Sequence, residues 1–262
     1  MINIYKNINE LIGFDNLPSN SFINADCFNV FPFIKDKSVD AIITDLPYGT
    51  TNCKWDSVLD LQKLWLQYKR IIKPNGVIIL FGQTPFDKIL GCSNLEWLKY
   101  EWIWEKTQAT GHLNAKKMPM KAHENILVFY DKLPIYNPQK TTGHVRKVST
   151  AIHKRNTSTG LIYGKCDDFI DYDSTERYPR SVQIFASDKQ KENLHSTQKP
   201  LALLEMLVKT YTNENDLVLD NCMGSGTTNL ASIKLNRNHI GIEKDTEIFN
   251  KAINRIKRYR ND

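Results

Sequence analysis

Four short apolar runs in this chain each close on a carboxylate, and helix-spaced stretches lie between them. The runs are "SFINAD" ending at Asp26, "VDAIITD" at Asp45, "LVLD" at Asp220 and "HIGIE" at Glu243. Short runs of β-branched and aliphatic residues bounded by turn formers read as buried strands. "GVIILFG", "YEWIWEK" and "ENILVFY" read the same way. Between strands, "SVLDLQKLWLQYKRIIK" places Val58, Leu61, Leu64, Tyr68 and Ile71 on one helical face, with Asp56 or Ser57 as N-cap and "KPNG" closing the helix. "HSTQKPLALLEMLVKTY" sets Leu203, Leu204, Leu207, Val208 and Tyr211 on the buried face of a helix that begins near Pro200. Strands alternating with helices predict an α/β fold around a doubly wound, mostly parallel sheet.

With 262 residues, 41% of them hydrophobic, the chain is long enough for one large α/β domain or a domain carrying an insertion. No apolar run approaches a membrane span, and "MINIYKNINELIGFD" lacks the basic start and apolar middle of a secretion signal. A cytoplasmic protein without a membrane partner is expected. The five cysteines (Cys27, Cys53, Cys92, Cys166 and Cys222) contain no C-x-x-C pair, which argues against a structural zinc site and a disulfide framework. No bound metal is expected. The net charge of +6 is a mild bias toward polyanionic partners.

That charge is unevenly spread. From Asn137 to Lys165 there are six Lys or Arg residues and no acid, and periodicity fades. The stretch reads as an insertion with a separate task. "GHLNAKKMPMKAHE" is a second basic loop, and the C-terminal "KAINRIKRYR" reads as a solvated helix face.

Two segments carry chemistry. In "TDLPYGTT", an acid, a proline, an aromatic and a glycine crowd one strand end, which is either a capped turn or a clamp for a flat molecule bearing an amino group. In "VLDNCMGSGTT", Gly224 and Gly226 stand where a strand turns tightly into a helix, so that backbone can approach a ligand. About twenty residues on, Glu243 ends the next strand, where a carboxylate accepts bonds from ribose hydroxyls. The third glycine of a dinucleotide fingerprint is missing, because position 229 is Asn, and this favours a nucleoside cofactor without a pyrophosphate.

"TDLPYGTT", "HSTQKP" and "LDNCMGSGTT", in that order, resemble the amino-methylating DNA methyltransferases that use S-adenosylmethionine, in their permuted β class. The likeness extends over nearly the whole chain. It implies a Rossmann-like, mixed seven-stranded sheet, circularly permuted, in a single methyltransferase domain over residues 1–262. Residues 1–135 would form the catalytic half, 136–192 an inserted target-recognition segment and 193–262 the cofactor-binding half. The resemblance places Asp26 by the cofactor's adenine and Glu243 on its ribose. Asp220, Cys222, Gly224, Gly226 and Thr227 would surround the methionine portion, with Thr197, Lys199 and the strand-end Asp45 supporting the pocket. For His195 a structural role is favoured.

Asp45 and the carbonyl of Leu46 would accept the two N–H bonds of an exocyclic amine, Pro47 would fix the backbone direction and Tyr48 would stack on the extruded base. The family motif usually has proline where this chain has Leu46; the carbonyl survives that change. Asp at position 45 favours adenine N6, and cytosine N4 stays open, as does a catalytically silent nucleic-acid-binding subunit. The implied partner is double-stranded DNA, with Lys140, Arg146, Lys147, Lys154 and Arg155 as contacts and the second basic loop at the border of the base pocket. Dimerisation and a restriction endonuclease as functional partner are compatible with the class. Other chemistries lack their residues: there is no Pro-Cys for cytosine C5 methylation, no P-C-x-x-C for zinc deamination and no G-x-x-x-x-G-K-[ST] loop for ATP-driven translocation.

Overall fold

The structure is a computed structural model that describes residues 2–49, 57–152, 170–188 and 198–261. Its described elements, in chain order, are β1 (Asn3–Tyr5), β2 (Ser21–Asn24), α1 (Cys27–Val30), β3 (Val39–Thr44), α2 (Leu61–Ile71), β4 (Ile72–Gly82), α3 (Phe86–Cys92), β5 (Leu98–Thr110) and β6 (Lys121–Phe129). They continue with β7 (Lys147–Ser149), β8 (Tyr172–Ser174), β9 (Val182–Phe185), α4 (Leu201–Tyr211), β10 (Leu217–Asp220), α5 (Thr227–Lys234), β11 (Asn238–Glu243) and α6 (Thr246–Asn261).

The main sheet runs β1-β2-β11-β10-β3-β4-β6-β5-β9. Strands from both ends of the chain therefore interleave, with β11 and β10 lying between β2 and β3. Pairing is parallel from β1 through to β4, while β6 is antiparallel to both β4 and β5. The sheet is thus α/β and mixed, as expected, with nine described strands instead of seven. The two additions are the edge strands β1 and β9, which are only three and four residues long and contain no buried residue.

Period-two alternation sorts side chains to the two faces. Ile42, Ile78 and Leu80 share one core with Leu64, Trp65, Tyr68 and Ile71 of α2. Ala41, Ile43, Val77, Ile79 and Phe81 share the other with Leu203, Leu204, Leu207, Val208 and Tyr211 of α4. Helices on both faces make the sheet doubly wound. Helix α2 starts later than expected, since the Asp60 carboxylate caps it by accepting from Lys63 N at 3.1 Å. Val58 lies outside the helix and is exposed, and "KPNG" belongs to β4. Asp56 is outside the described residues. Pro200 is the N-cap of α4, and the Asp188 carboxylate accepts from Leu201 N at 2.8 Å.

Helix α6 departs from the expected solvated face. Phe249, Ala252, Ile253 and Ile256 are buried against Phe22 and Met223. Arg255 is also buried, donating to the Ser225 carbonyl at 3.2 Å and to Thr227 Oγ1 at 2.9 Å. No helix among the described residues is long and apolar enough to cross a membrane.

Residues 138–180 form a compact unit distinct from the rest of the chain, inside the 136–192 segment anticipated from the sequence. It is built on the antiparallel ribbon β7–β8. The Arg177 guanidinium knits it by donating to the carbonyls of Val145, Ser174 and Glu176. Val182–Phe185, within the anticipated segment, pair instead with β5 in the main sheet.

Candidate active site

Strands β2, β3, β10 and β11 are parallel neighbours, so their C-terminal ends share one edge of the sheet, where open α/β sheets bind ligands. A cavity of about 1060 Å³ opens there. Asp26, Asp45, Leu46, Pro47, Tyr48, Lys199, Asp220, Cys222, Gly224, Thr227 and Glu243 all line it. Residues more than two hundred positions apart in sequence are thereby gathered around one space.

One part of the wall is a chain of charges. The Lys199 ammonium bonds the Asp45 carboxylate and lies 3.1 Å from Glu124, whose other oxygen is 2.6 Å from the Lys106 ammonium. Antiparallel pairing of β5 with β6 sets Trp104 opposite Glu124 and so brings Lys106 within reach. Burial alone would push the Glu124 carboxyl up, but Lys199 and Lys106 hold it down at about 2. Burial likewise opposes the charge on Lys199, and Asp45 and Glu124 outweigh it, raising its pKa above the ordinary lysine value. The Tyr48 phenol donates to the second Asp45 oxygen at 2.6 Å, and its ring stacks on Phe86 with centroids 5.1 Å apart. Both Asp45 oxygens are engaged, yet a carboxylate has about four acceptor positions, so it retains capacity for an amine.

A second part of the wall follows the glycine turn. Gly224 and Gly226 sit at φ 50° and 72°, a left-handed backbone that side chains rarely adopt. Glu243 is held rigidly: Gly224 N donates to one carboxylate oxygen and Asp245 N to the other, both at 2.9 Å. Its burial raises the carboxyl pKa against the pull of those amides. Asp220 is fully enclosed; burial pushes it up to about 7, countered by the hydroxyls of Thr44 and Thr228 and by Cys222 N. Position 229, where a dinucleotide fingerprint has its third glycine, is a buried Asn accommodated by a glycine on the next strand. A Cβ at Gly241 would lie 2.8 Å from Asn229 Oδ1. The small residue that allows close packing has moved from the helix to β11.

Residues 39–254 match the N6/N4 methyltransferase family, described as DNA methylase. The chain belongs to this family. Among relatives of the N6/N4 methylases, it is 29% identical over 263 residues to the Type II methyltransferase M1.MboII of Moraxella bovis, covering 90% of this chain and 96% of that one. It is 30% identical over 246 residues to M.HpaI of Haemophilus parainfluenzae, covering 88% and 73%. A solved complex of M1.HpyAVI with SAM superimposes with TM-score 0.62 and 27% identity, over 98% of this chain and 99% of that one. The PvuII cytosine-N4-specific DNA methyltransferase, at 13% identity and TM-score 0.61, over 94% of each chain, shares the fold.

Not every residue expected of an N6/N4 methylase is committed to the cavity alone. Asp26 caps α1, accepting from Phe28 N at 3.0 Å, and pairs with Lys244 at 3.0 Å. Within the 138–180 unit, Lys140 pairs with Glu176 at 3.0 Å and Arg146 grips Asp173 through bonds of 2.6 and 2.5 Å. The basic stretch is therefore partly neutralised by acids that follow it in sequence, while Lys147 is exposed on β7. Thr197, His195, Lys154 and Arg155 lie outside the described residues.

Four cavity or turn residues were missed in the sequence: Lys106, Glu124, Gln198 and Arg255. Arg255 had a legible signal, since positions 252, 255 and 256 share one helical face with an apolar pattern around it. Gln198 is 3% exposed, and neither atom of its amide has a partner among the described residues.

Proposed function

We propose that this DNA methylase transfers a methyl group from S-adenosylmethionine to the exocyclic N6 of an adenine extruded from double-stranded DNA, as a site-specific Type II enzyme. The observation that carries the reading is the convergence of Asp45–Tyr48 and the Asp220–Glu243 wall on one cavity.

The residues present suit that cofactor. Asp26, Asp45, Glu124, Asp220, Glu243, Asp245 and Glu247 line the cavity against Lys106, Lys199 and Lys244, an acidic excess that favours a ligand carrying sulfonium and ammonium charges. The Gln198 amide, which has no partner among the described residues, is a ready donor and acceptor for a polar ligand. Glu243 would hold the ribose hydroxyls, Asp26 would face the adenine of the cofactor, and Asp220, Cys222, Gly224 and Thr227 would enclose its methionine end, while Gly226, which packs toward Ala252 and Ile256 instead of lining the cavity, turns the chain into α5. When bound, the cofactor supplies an electrophilic methyl group on sulfur.

The chain's own residues prepare the nucleophile. The lone pair of an adenine amine is delocalised into the ring. Asp45 and the Leu46 carbonyl each accept one N–H, which draws the nitrogen toward tetrahedral geometry and aims its lone pair at the methyl carbon. Leu46 is 2% exposed, so its apolar side chain anchors in the core and its main chain is held in place. Tyr48, backed by Phe86, presents a flat face to the base, which offsets part of the few kcal/mol that extrusion costs. The carboxylate also stabilises the positive charge that builds on nitrogen as the methyl is gained, until the amine releases one N–H proton to solvent.

Asp at position 45 favours adenine; cytosine N4 is the second reading. Nucleoside mass spectrometry of unmethylated DNA incubated with the protein and S-adenosylmethionine tests both. N6-methyladenine is expected. N4-methylcytosine would keep the mechanism and overturn the base assignment, and no methylated nucleoside would overturn the proposal.

A further inference from the structure

The β5–β6 hairpin has a tip that serves neither the core nor the cavity wall. Lys106 and Thr107–Thr110 on β5 and Glu124 on β6 line the cavity, so the tip, residues 111–120, stands at its edge. It is a built turn. Gly111 takes φ 90°, its carbonyl accepts from Asn114 N at 3.0 Å, and the Asn114 carbonyl accepts from Lys117 N at 2.8 Å and Met118 N at 3.0 Å. The turn holds Leu113 out at 87% exposure, with Met118 and Met120 also exposed. A single exposed leucine is unremarked in most proteins, but three large apolar side chains within eight positions of a turn satisfied by its own backbone form a presented surface.

The charge around that surface has one sign. Residues 106–123 contain Lys106, Lys116, Lys117 and Lys121 and no Asp or Glu. Lys106 is spent on Glu124, whereas Lys116 and Lys117 make no ion pair among the described residues. This contrasts with the 138–180 unit, where Lys140 and Arg146 are each matched by an acid. Uncompensated cations beside an apolar projection fit a polyanion with an apolar interior, which describes a base-stacked duplex.

We infer that the 111–120 tip docks on duplex DNA, with Lys116 and Lys117 on phosphates and Leu113 entering the base stack at the space left by the extruded base. The inference rests on the DNA-methylation reading. A flexible loop of the same charge would add affinity only, whereas a wedge held by a built turn lowers the cost of extrusion by keeping neighbouring bases from closing the gap.

The test uses the full chain and two readouts. Lys116→Ala/Lys117→Ala should reduce the slope of log Kd against log salt for unmethylated plasmid DNA by about 1.8, at about 0.9 for each phosphate contact. An unchanged slope would overturn the phosphate assignment. Leu113→Ala is then assayed on a short duplex bearing the site that wild type methylates, and on the same duplex with an abasic position opposite the target. A roughly tenfold fall in kcat/KM on the paired duplex, with less than about twofold on the abasic one, is expected because extrusion from the latter is already cheap. Equal falls on both, or no fall, would overturn the wedge. Because Leu113 is solvent-exposed, its loss should leave Tm unchanged. Failure of wild type to methylate any DNA would sink the function reading instead, and the salt slope separates the two because it needs no turnover.

Discussion

Replacing Glu124 by Gln keeps the shape of the buried charge chain and removes one charge from it. Glu124 is 7% exposed and its carboxyl is held at about 2 instead of 4.5. At about 1.36 kcal/mol for each tenfold change in acidity, that difference corresponds to ~3 kcal/mol of folding stability at neutral pH. For a chain of this size, ~3 kcal/mol is a Tm loss of about 6–12 °C. The sign follows from the depressed value: the contribution is complete above the unfolded value and is lost as pH falls toward the folded one. At pH 3 less than half of it should remain, so the Tm gap between wild type and Glu124→Gln should shrink by more than half between pH 7 and pH 3. Turnover should fall as well. With Glu124 neutral, Lys199 rests on Asp45 alone and draws its carboxylate away from the amine. Loss of one charge-assisted bond of about 1.5–3 kcal/mol corresponds to about 10–100-fold in kcat, with cofactor affinity within a few-fold. Thermal melts across pH and single-turnover kinetics read both effects. A Tm gap independent of pH, together with unchanged kcat, would refute the claim that Glu124 positions Lys199 and Asp45.

Other perturbations address the part of the wall that follows the glycine turn. Glu243→Ala should weaken S-adenosylmethionine binding about tenfold or more by calorimetry, and unchanged affinity would remove the ribose assignment. Asp220 has a folded value near 7, above its ordinary 3.8, so the folded chain loses stability as pH rises through that window. Asp220→Asn should therefore gain in Tm relative to wild type between pH 5 and pH 8, while cofactor affinity, which should tighten in wild type as Asp220 ionises near pH 7, becomes flat. Arg255→Met deletes two buried bonds from a cation to the glycine turn, and a loss of about 2 kcal/mol in urea unfolding is expected together with weaker cofactor binding.

The strand ends were legible because buried parallel strands are nearly continuous apolar runs, and a carboxylate that closes such a run is conspicuous. Asp45, Asp220 and Glu243 could thus be named as candidates before their proximity was known. Glu124 could not, although it begins the run "ENILVFY". Its partner Lys106 is fixed by the β5–β6 register, which includes an irregularity between Glu105 and Thr110 that no local pattern encodes. The basic stretch was read without its counter-charges for a similar reason, since Asp173 and Glu176 return to Arg146 and Lys140 through pairing in the 138–180 unit. Asn229 is a further example. A missing glycine is visible in sequence, while its replacement by Gly241 on a neighbouring strand is visible only once the two are packed together.

The central claim is that Asp45, although it lines the shared cavity, contributes far more to preparing the amine for attack than to holding the cofactor. Asp45→Ala tests it most directly, with single-turnover methylation of DNA and S-adenosylmethionine affinity measured on the same preparation. The account predicts methyl transfer reduced by at least about 10³-fold, with the cofactor Kd within a few-fold of wild type. Transfer at near wild-type rate, or loss of cofactor binding in place of transfer, would contradict it.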